Sequence, residues 1–153
     1  MKTLIIYDSV WGNTEKIARA VGDALPGEII IARVTEVDQA SLKSSDLIII
    51  GSPTQGGRPL KSISGFLSGI PDCGLRDMPV AAFDTRTKVG GFALILVNML
   101  GYAANRIAKI LKAKGGKLVI APVGFLVTGK EGPIIEGEIK RAVIWAKELS
   151  GKV

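Results

Sequence analysis

Residues 3–25 read TLIIYDSVWGNTEKIARAVGDAL, and this stretch decides the fold class. It begins with an apolar run, Thr3 to Tyr7, of the kind that forms a strand buried on both faces. A polar segment with one glycine follows, Asp8 to Glu15, and apolar residues such as Ile17 and Val21 then recur with the period of a helix. A buried strand, a short loop and an amphipathic helix together predict the first unit of a parallel α/β sheet.

The same alternation continues along the chain. Four more short apolar runs are bounded by Gly, Pro, Asp or Ser, and they are Glu28 to Ala32, Leu47 to Ile50, Val80 to Phe83 and Leu118 to Val123. Segments with helical periodicity lie between them. Five such strands predict an α/β fold with a doubly wound five-stranded parallel sheet, strand order 2-1-3-4-5, in a three-layer α/β/α arrangement. We expect residues 1–153 to form a single domain.

Composition limits the chemistry. The chain has no histidine and one cysteine, with 20 Lys and Arg against 14 Asp and Glu for a net charge of +6. The lack of histidine removes the commonest metal ligand and general base, and one cysteine excludes an internal disulfide, an iron–sulfur cluster and a zinc ribbon. We therefore predict no metal site and no catalytic side chain, so that a bound cofactor must carry any redox chemistry. No basic stripe interleaved with aromatics is present, so nucleic acid is not an expected partner.

The chain shows no recognisable targeting signal, because only a short apolar run precedes Asp8, and we expect a cytoplasmic location. The most apolar region, Val89 to Ala104, contains Asn98 and is closed by Asn105 and Arg106. It falls short of the roughly 20 apolar residues that a membrane-spanning helix needs. No membrane span is predicted.

One helix is predicted from Phe92 to Lys112. Its sheet-covering stripe would be Leu96, Leu100, Ala103, Ile107 and Leu111. Apolar residues also continue around the other sides of its first half, and a helix that is apolar all round is normally buried. Either this first half docks under a neighbouring loop, or it forms a self-complementary contact in a homodimer; contact with a membrane surface is a third alternative.

Ligands of such sheets bind beyond the carboxyl ends of the strands, which here are followed by the loops Asp8 to Thr14, Gly51 to Pro59 and Asp84 to Gly91. In the first loop, hydroxyl and amide side chains surround a glycine at the start of a helix, which is an arrangement that can hold a phosphate. The alternative is that Asn13 or Thr14 merely caps the helix.

The first loop resembles that of the flavodoxin family, whose Ser/Thr-x-x-Gly-Asn-Thr motif is matched by Ser9, Gly12, Asn13 and Thr14, and the element order is similar over the whole chain. The resemblance implies FMN as the cofactor. It also implies that hydroxyls and backbone amides of Ser9, Val10, Trp11, Gly12, Asn13 and Thr14 hold the phosphate without a salt bridge. The ring of Trp11 would either shield the flavin edge or pack on the surface.

The second loop has a plain interpretation as a strand-to-helix turn. It also resembles the family's loop beside the flavin ring, which implies contacts from Pro53, Thr54, Gln55, Gly56 and Gly57. In the family a glycine peptide of this loop turns over, so that its carbonyl accepts a hydrogen bond from N5–H of the reduced flavin. We assign that peptide to Gly56, because a residue without Cβ turns over more easily.

The third loop is expected to bind the pyrimidine edge of the flavin, with Asp84 accepting from N3–H and the amides of Thr85 and Arg86 donating to ring carbonyls. The chain departs from better-known members of the family in two respects. Neither of these two loops has a Trp or Tyr to stack on the ring, and the chain is basic. We expect the cations Arg58, Arg86 and Lys88 to raise the two-electron potential.

These features predict an FMN-binding electron-transfer protein that shuttles one or two electrons. Its redox partner would be a protein with an acidic face or a small quinone-like acceptor. Two alternatives stay open at this point. One is an FMN-dependent quinone-type oxidoreductase, and the other is an interaction module that keeps the fold but has lost the cofactor.

Overall fold

The computed structural model describes residues 1–153, with six strands and six α-helices. The strands are β1 Lys2–Tyr7, β2 Glu28–Arg33, β3 Leu47–Pro53, β4 Pro79–Thr87, β5 Lys117–Leu118 and β6 Val123–Val127. The helices are α1 Asn13–Ala24, α2 Gln39–Lys43, α3 Lys61–Gly69, α4 Gly91–Leu100, α5 Ala103–Ala113 and α6 Glu138–Ser150, and a 3₁₀ helix covers Val34–Glu36.

All strands pair in parallel in the order β2-β1-β3-β4-β5, and β6 pairs with β4 as well. The predicted doubly wound α/β sheet and its strand order are therefore confirmed. The fifth strand is interrupted, because β5 pairs with the start of β4 and β6 with its end. The prediction of one continuous strand from Leu118 to Val123 is wrong, because β5 ends at Leu118 and β6 begins at Val123. Pro122, which lies between them, has no N–H to donate to a neighbouring strand.

Helices cover both faces of the sheet, as a three-layer arrangement requires. On one face α1 and α6 pack on alternate strand residues, and Phe83, Phe125 and Trp145 meet edge to face with ring centroids 6.1–6.3 Å apart. On the other face α3 and α5 cover residues such as Ile48 and Ile50. The strand residues are apolar on both sides because both sides are buried.

The prediction of one helix from Phe92 to Lys112 is wrong. The chain forms two helices, which are separated at Gly101, a residue with φ of +82°. α5 is part of the core, whereas Leu96 is 47% and Leu100 54% exposed, so α4 covers none of the sheet. By length and composition Gly91–Ala113 is apolar enough to cross a membrane, but its second half is packed against the sheet.

Candidate functional site

The segment between β1 and α1 is organised by backbone conformation. Gly12 precedes α1 in the left-handed region with φ of +87°, which favours glycine, and no side chain caps the helix. The alternative that Asn13 or Thr14 merely caps α1 is therefore wrong. The amide of Gly12 instead donates to Ser9 Oγ at 2.9 Å, which closes the segment into a tight loop.

This loop presents a group of backbone donors. The amide N–H groups of Val10, Trp11, Asn13 and Thr14 donate to no acceptor in the chain. They lie at the N-terminus of a twelve-residue helix, where the helix dipole favours negative charge. An anion with several acceptor oxygens, such as a phosphate, satisfies such a set of donors.

Side chains from α1 tie the loop to neighbouring strands. Asn13 Nδ2 donates to the carbonyl oxygen of Glu131 at 3.1 Å, and the hydroxyls of Thr14 and Thr85 are 2.8 Å apart. A Cβ on Gly132 would lie 2.7 Å from the Asn13 amide, so this close approach requires glycine there. The loop is thus held from β4 and from the segment after β6.

A cavity of about 410 Å³ opens between this loop and the ends of β3, β4 and β6. The structure brings nine of the predicted residues to its wall: Ser9, Val10, Trp11, Asn13, Thr14, Pro53, Thr54, Gln55 and Thr85. The wall also contains Thr87, Val127 and Lys130, which the sequence did not predict. The volume is in the usual range for a cofactor pocket of about 300–1,000 Å³.

Lys130 is the only charged residue of that wall. It follows β6, far from the glycine loop in sequence, and no motif marks it. The absence of a Lys or Arg between residues 8 and 14 therefore does not mean that the cavity lacks a cation.

A second cavity, of about 180 Å³, shares Thr54 and Thr87 with the first. Its other wall residues are Gly56, Gly57, Arg86, Val89, Val97, Leu100 and Tyr102. The two cavities are therefore continuous. The first is a polar cradle, and the second is a smaller, more apolar slot. That shape suits a ligand with a phosphate at one end and a flat ring at the other.

A tight turn forms one side of the slot. Gln55 and Arg58 exchange backbone hydrogen bonds of 2.9 and 3.1 Å around Gly56 and Gly57, whose φ angles are +57° and +76°. Two consecutive residues with positive φ are typical of a turn that demands glycine. A Cβ on Gly57 would lie 3.1 Å from Leu100, so the turn packs closely on the end of α4, whereas a Cβ on Gly56 would meet nothing.

Tyr102 supplies an aromatic wall that the loops themselves lack. It is the residue before α5, and the guanidinium carbon of Arg86 lies 3.4 Å from its ring centroid. The sequence offered no local signal for this placement, because the residue belonged to the apolar surface of a predicted continuous helix. The break at Gly101 turns Tyr102 toward the slot instead.

Asp84 does not line either cavity, and its predicted contact with the flavin ring is wrong. The side chain is completely buried, and its two oxygens accept from Arg86 Nε and Nη2, each at 2.7 Å. Oδ2 also accepts from the amide of Ala104 at 2.9 Å. The physical reason is that β4 continues to Thr87, so Asp84 lies inside a strand and faces the start of α5.

Thr85 and Arg86 are strand residues as well, paired with Phe125 and Leu126 rather than forming a loop. The Arg86 side chain crosses Gly124, where a Cβ would lie 2.0 Å from its Nε. Arg86 lines the slot, where its charge is paired with that of the buried Asp84, and its effect on the flavin potential stays a prediction. Arg58 and Lys88 form no ion pair in the chain.

Hydrogen bonds from the start of α6 hold β6 in place. Glu138, which is 8% exposed, accepts from the Leu126 amide at 2.6 Å and from Arg141 Nε at 2.9 Å. The hydrogen bond from Arg141 lowers the pKa of Glu138 below its usual value, although burial opposes this. These hydrogen bonds fix the position of β6, whose last residue, Val127, is part of the cavity wall.

The comparisons with known proteins agree with this geometry. The family model described as "Flavodoxin domain" matches residues 4–86, which is more than half of the chain. The chain belongs to the flavodoxin family. The family's cofactor is FMN, and its members are soluble proteins that exchange electrons with partner proteins.

Individual relatives extend the match over the full length of this flavodoxin-family chain. A flavodoxin of Clostridium saccharobutylicum is 25% identical over 100% of this chain and 98% of its own. Oxidised flavodoxin 2 of Bacillus cereus has the same fold with a TM-score of 0.81, at 24% identity over 100% of both chains. The rubredoxin oxygen:oxidoreductase of Desulfovibrio gigas gives a TM-score of 0.74 at 21% identity, over 98% of this chain and 35% of that chain.

The residues present fit FMN. The unbonded amides at the start of α1 suit its phosphate, the polar cradle its ribityl chain, and the slot beside Tyr102 its ring.

Proposed function

We propose that residues 1–153 form a single flavodoxin-like domain that works in the cytoplasm as an electron carrier, shuttling one or two electrons through bound FMN. FMN supplies the one- and two-electron chemistry when it is bound, while the chain binds it and tunes its potential. The observation that carries the proposal is the set of unbonded amides at the start of α1, which opens onto a cavity of about 410 Å³. An interaction module without a cofactor would have no need of this arrangement.

We assign roles to particular residues from their positions in the walls of the site. Ser9 and the amides of Val10, Trp11, Asn13 and Thr14 bind the phosphate, and Trp11, at 48% exposure, lies at the mouth of the cavity. The Gly56 peptide lies beside the slot, where we assign its carbonyl to accept from N5–H of the reduced flavin. Tyr102 provides the flat surface against which a ring packs.

Electron transfer to a partner protein suits these walls better than quinone reduction does. No Asp or Glu lines either cavity, and the chain has no histidine, so the site offers no ordinary acid or base near neutral pH. Reduction of a quinone to a quinol consumes two protons, which such a site is poorly equipped to deliver. A carrier that passes electrons to a second protein does not have to protonate its acceptor.

The charge around the mouth points to an acidic partner. Lys130 lines the larger cavity, Arg58 ends the turn beside the slot, and Lys88 lies in sequence between the slot residues Thr87 and Val89. None of these three cations is in an ion pair, and the chain carries a net charge of +6. Opposite charge on a partner raises the rate of encounter at low salt, and salt removes the advantage.

The experiment compares two acceptors that differ in charge. The FMN-loaded protein is reduced and mixed, in a stopped-flow instrument, with native cytochrome c, which is basic, and with succinylated cytochrome c, which is acidic. We expect the acidic form to react about tenfold faster at low salt, with the difference lost near 0.5 M salt. Equal rates, or a faster reaction with the basic form, would overturn the acidic-partner proposal. Many turnovers of quinone with NADPH would show an oxidoreductase instead.

A further inference from the structure

Helix α4 presents an apolar stripe to solvent. Phe92, Ile95, Leu96 and Met99 are 76%, 56%, 47% and 79% exposed, and they share one helix face at spacings of three and four residues. The helix has no charged residue, and Val97 on its opposite side is partly buried against the slot. A contiguous exposed patch of this kind marks an interaction surface.

The surroundings of the stripe are cationic. The segment from Thr85 to Lys130, which contains α4, has eight Lys and Arg and no Asp or Glu, and three of these cations pair with aspartates outside the segment. Arg58, Arg106 and Lys109 line one cavity of about 270 Å³, and none of the three is in an ion pair.

This cationic cluster, Arg58, Arg106 and Lys109, adjoins the end of α4. Arg106 Nη2 donates to the carbonyl oxygen of Leu100 at 2.8 Å, and the side chains of Arg58 and Lys109 donate to no acceptor in the chain. The cluster therefore has unused donors directly beside the apolar stripe. Apolar side chains next to unpaired cations are complementary to a surface that has anions above hydrocarbon.

We propose that α4 and the cationic cluster dock on the surface of an anionic lipid bilayer. The stripe lies in the plane of the membrane with its side chains among the acyl chains, and the cluster binds lipid phosphates. The segment does not span the bilayer, because Ile107 and Leu111 of α5 are fully buried in the core and α4 alone has ten residues.

The observations favour a bilayer over a second copy of the chain. A symmetric contact through α4 would bring together two copies of the cationic cluster, whose members are in no ion pair, and like charges repel.

The composition of α4 also favours a bilayer over a protein partner. Asn98 is the only side chain of α4 that can form a hydrogen bond of ordinary strength, whereas protein interfaces use about one hydrogen bond per 100–200 Å². Acyl chains require no hydrogen bonds from the stripe.

The test is co-sedimentation with sucrose-loaded vesicles of phosphatidylcholine alone or of phosphatidylcholine and phosphatidylglycerol in equal amounts. We expect the FMN-loaded protein to pellet with the anionic vesicles and to stay in solution with phosphatidylcholine. Met99→Glu should lower the partition coefficient at least about tenfold, since it puts a charge on the apolar stripe. Lys109→Gln should lower it about fivefold, the effect of one cation near such a surface.

Ile144→Glu is the matched control. Ile144 is 56% exposed, but it lies on α6 at the opposite face of the sheet, so its replacement should leave vesicle binding unchanged. Met99 is exposed in the fold, and unchanged FMN binding by Met99→Glu verifies that the variant is intact.

Three results would overturn the proposal. One is that the wild type pellets equally with both kinds of vesicle, or that the wild type and Met99→Glu pellet equally with the anionic vesicles. Another is a dimer, seen by analytical ultracentrifugation, that Met99→Glu dissociates, because the stripe would then be a contact between copies. The third is a slower reaction of Met99→Glu with succinylated cytochrome c and no change in vesicle binding, because the stripe would then serve a protein partner. Failure of FMN binding in the wild type would instead count against the proposed function alone.

Discussion

Replacement of Arg86 by Met tests how much the ion pair between Arg86 and the buried Asp84 stabilises the protein. The guanidinium makes two hydrogen bonds of 2.7 Å to a carboxylate that is completely buried, and it stacks on Tyr102. Met is close to Arg in length but has neither the charge nor the donors. Arg86→Met therefore leaves Asp84 buried, with only the Ala104 amide as a partner.

The size of the effect follows from this geometry. Removal of one partner from a buried ion pair costs about 3–5 kcal/mol. The remaining bond from Ala104 at 2.9 Å, together with its position at the start of α5, offsets part of that cost. We expect a loss of about 3 kcal/mol in the free energy of unfolding, which for a chain of this size lowers Tm by about 6–12 °C.

Urea unfolding of the FMN-free protein measures this loss. The double variant Asp84→Asn with Arg86→Met removes the unpaired charge, and we expect it to be at least about 1 kcal/mol more stable than Arg86→Met alone. Arg76→Met, at an arginine that forms no ion pair, is the control and should change stability by less than about 0.5 kcal/mol. A loss below about 1 kcal/mol for Arg86→Met would refute the account of this buried pair.

Three further variants test other parts of the molecule. Thr14→Ala should weaken FMN at least about tenfold and riboflavin less than about twofold, measured by flavin fluorescence, because the hydroxyl is assigned to the phosphate; equal losses would remove Thr14 from that role. Because the pKa of Glu138 is lowered in the folded protein, its carboxylate stabilises the fold at pH values above the ordinary glutamate pKa of about 4.3. This stabilisation is lost as the pH falls through the lowered pKa. In urea unfolding between about pH 5 and pH 3, Glu138→Gln should therefore lose less stability on acidification than the wild type, whereas the exposed-site control Glu148→Gln should follow the wild type. Gly57→Ala should cost about 1–2 kcal/mol at its positive φ and weaken FMN and riboflavin together, since it disturbs the ring slot; a loss confined to FMN would contradict that assignment.

Most of the fold was predictable because the strands are short apolar runs with clear boundaries. The break in the fifth strand does not show in the apolar pattern, since Val119 to Pro122 is as apolar as a strand, and Pro122 is the signal of the break that the sequence does contain. The helical period likewise continues across Gly101, whose left-handed conformation ends α4.

The phosphate end of the site was predictable because one contiguous loop forms it. The ring end was not, because Tyr102 and Lys130 reach the cavities from separate elements. Asp84 was misplaced because a carboxylate near the end of a strand usually faces solvent. A signal was present: Asp84 and Arg86 are two residues apart, so in a strand they point to the same side and can pair.

Titration of the FMN-free protein with FMN and, separately, with riboflavin tests the central claim most directly, since the two ligands differ only in the phosphate. We expect FMN to be bound with quenching of its fluorescence and a shifted visible spectrum, at least about 100-fold more tightly than riboflavin, because several amides and a hydroxyl hold the phosphate. No quenching at tens of micromolar FMN, or equal affinity for both ligands, would contradict the account.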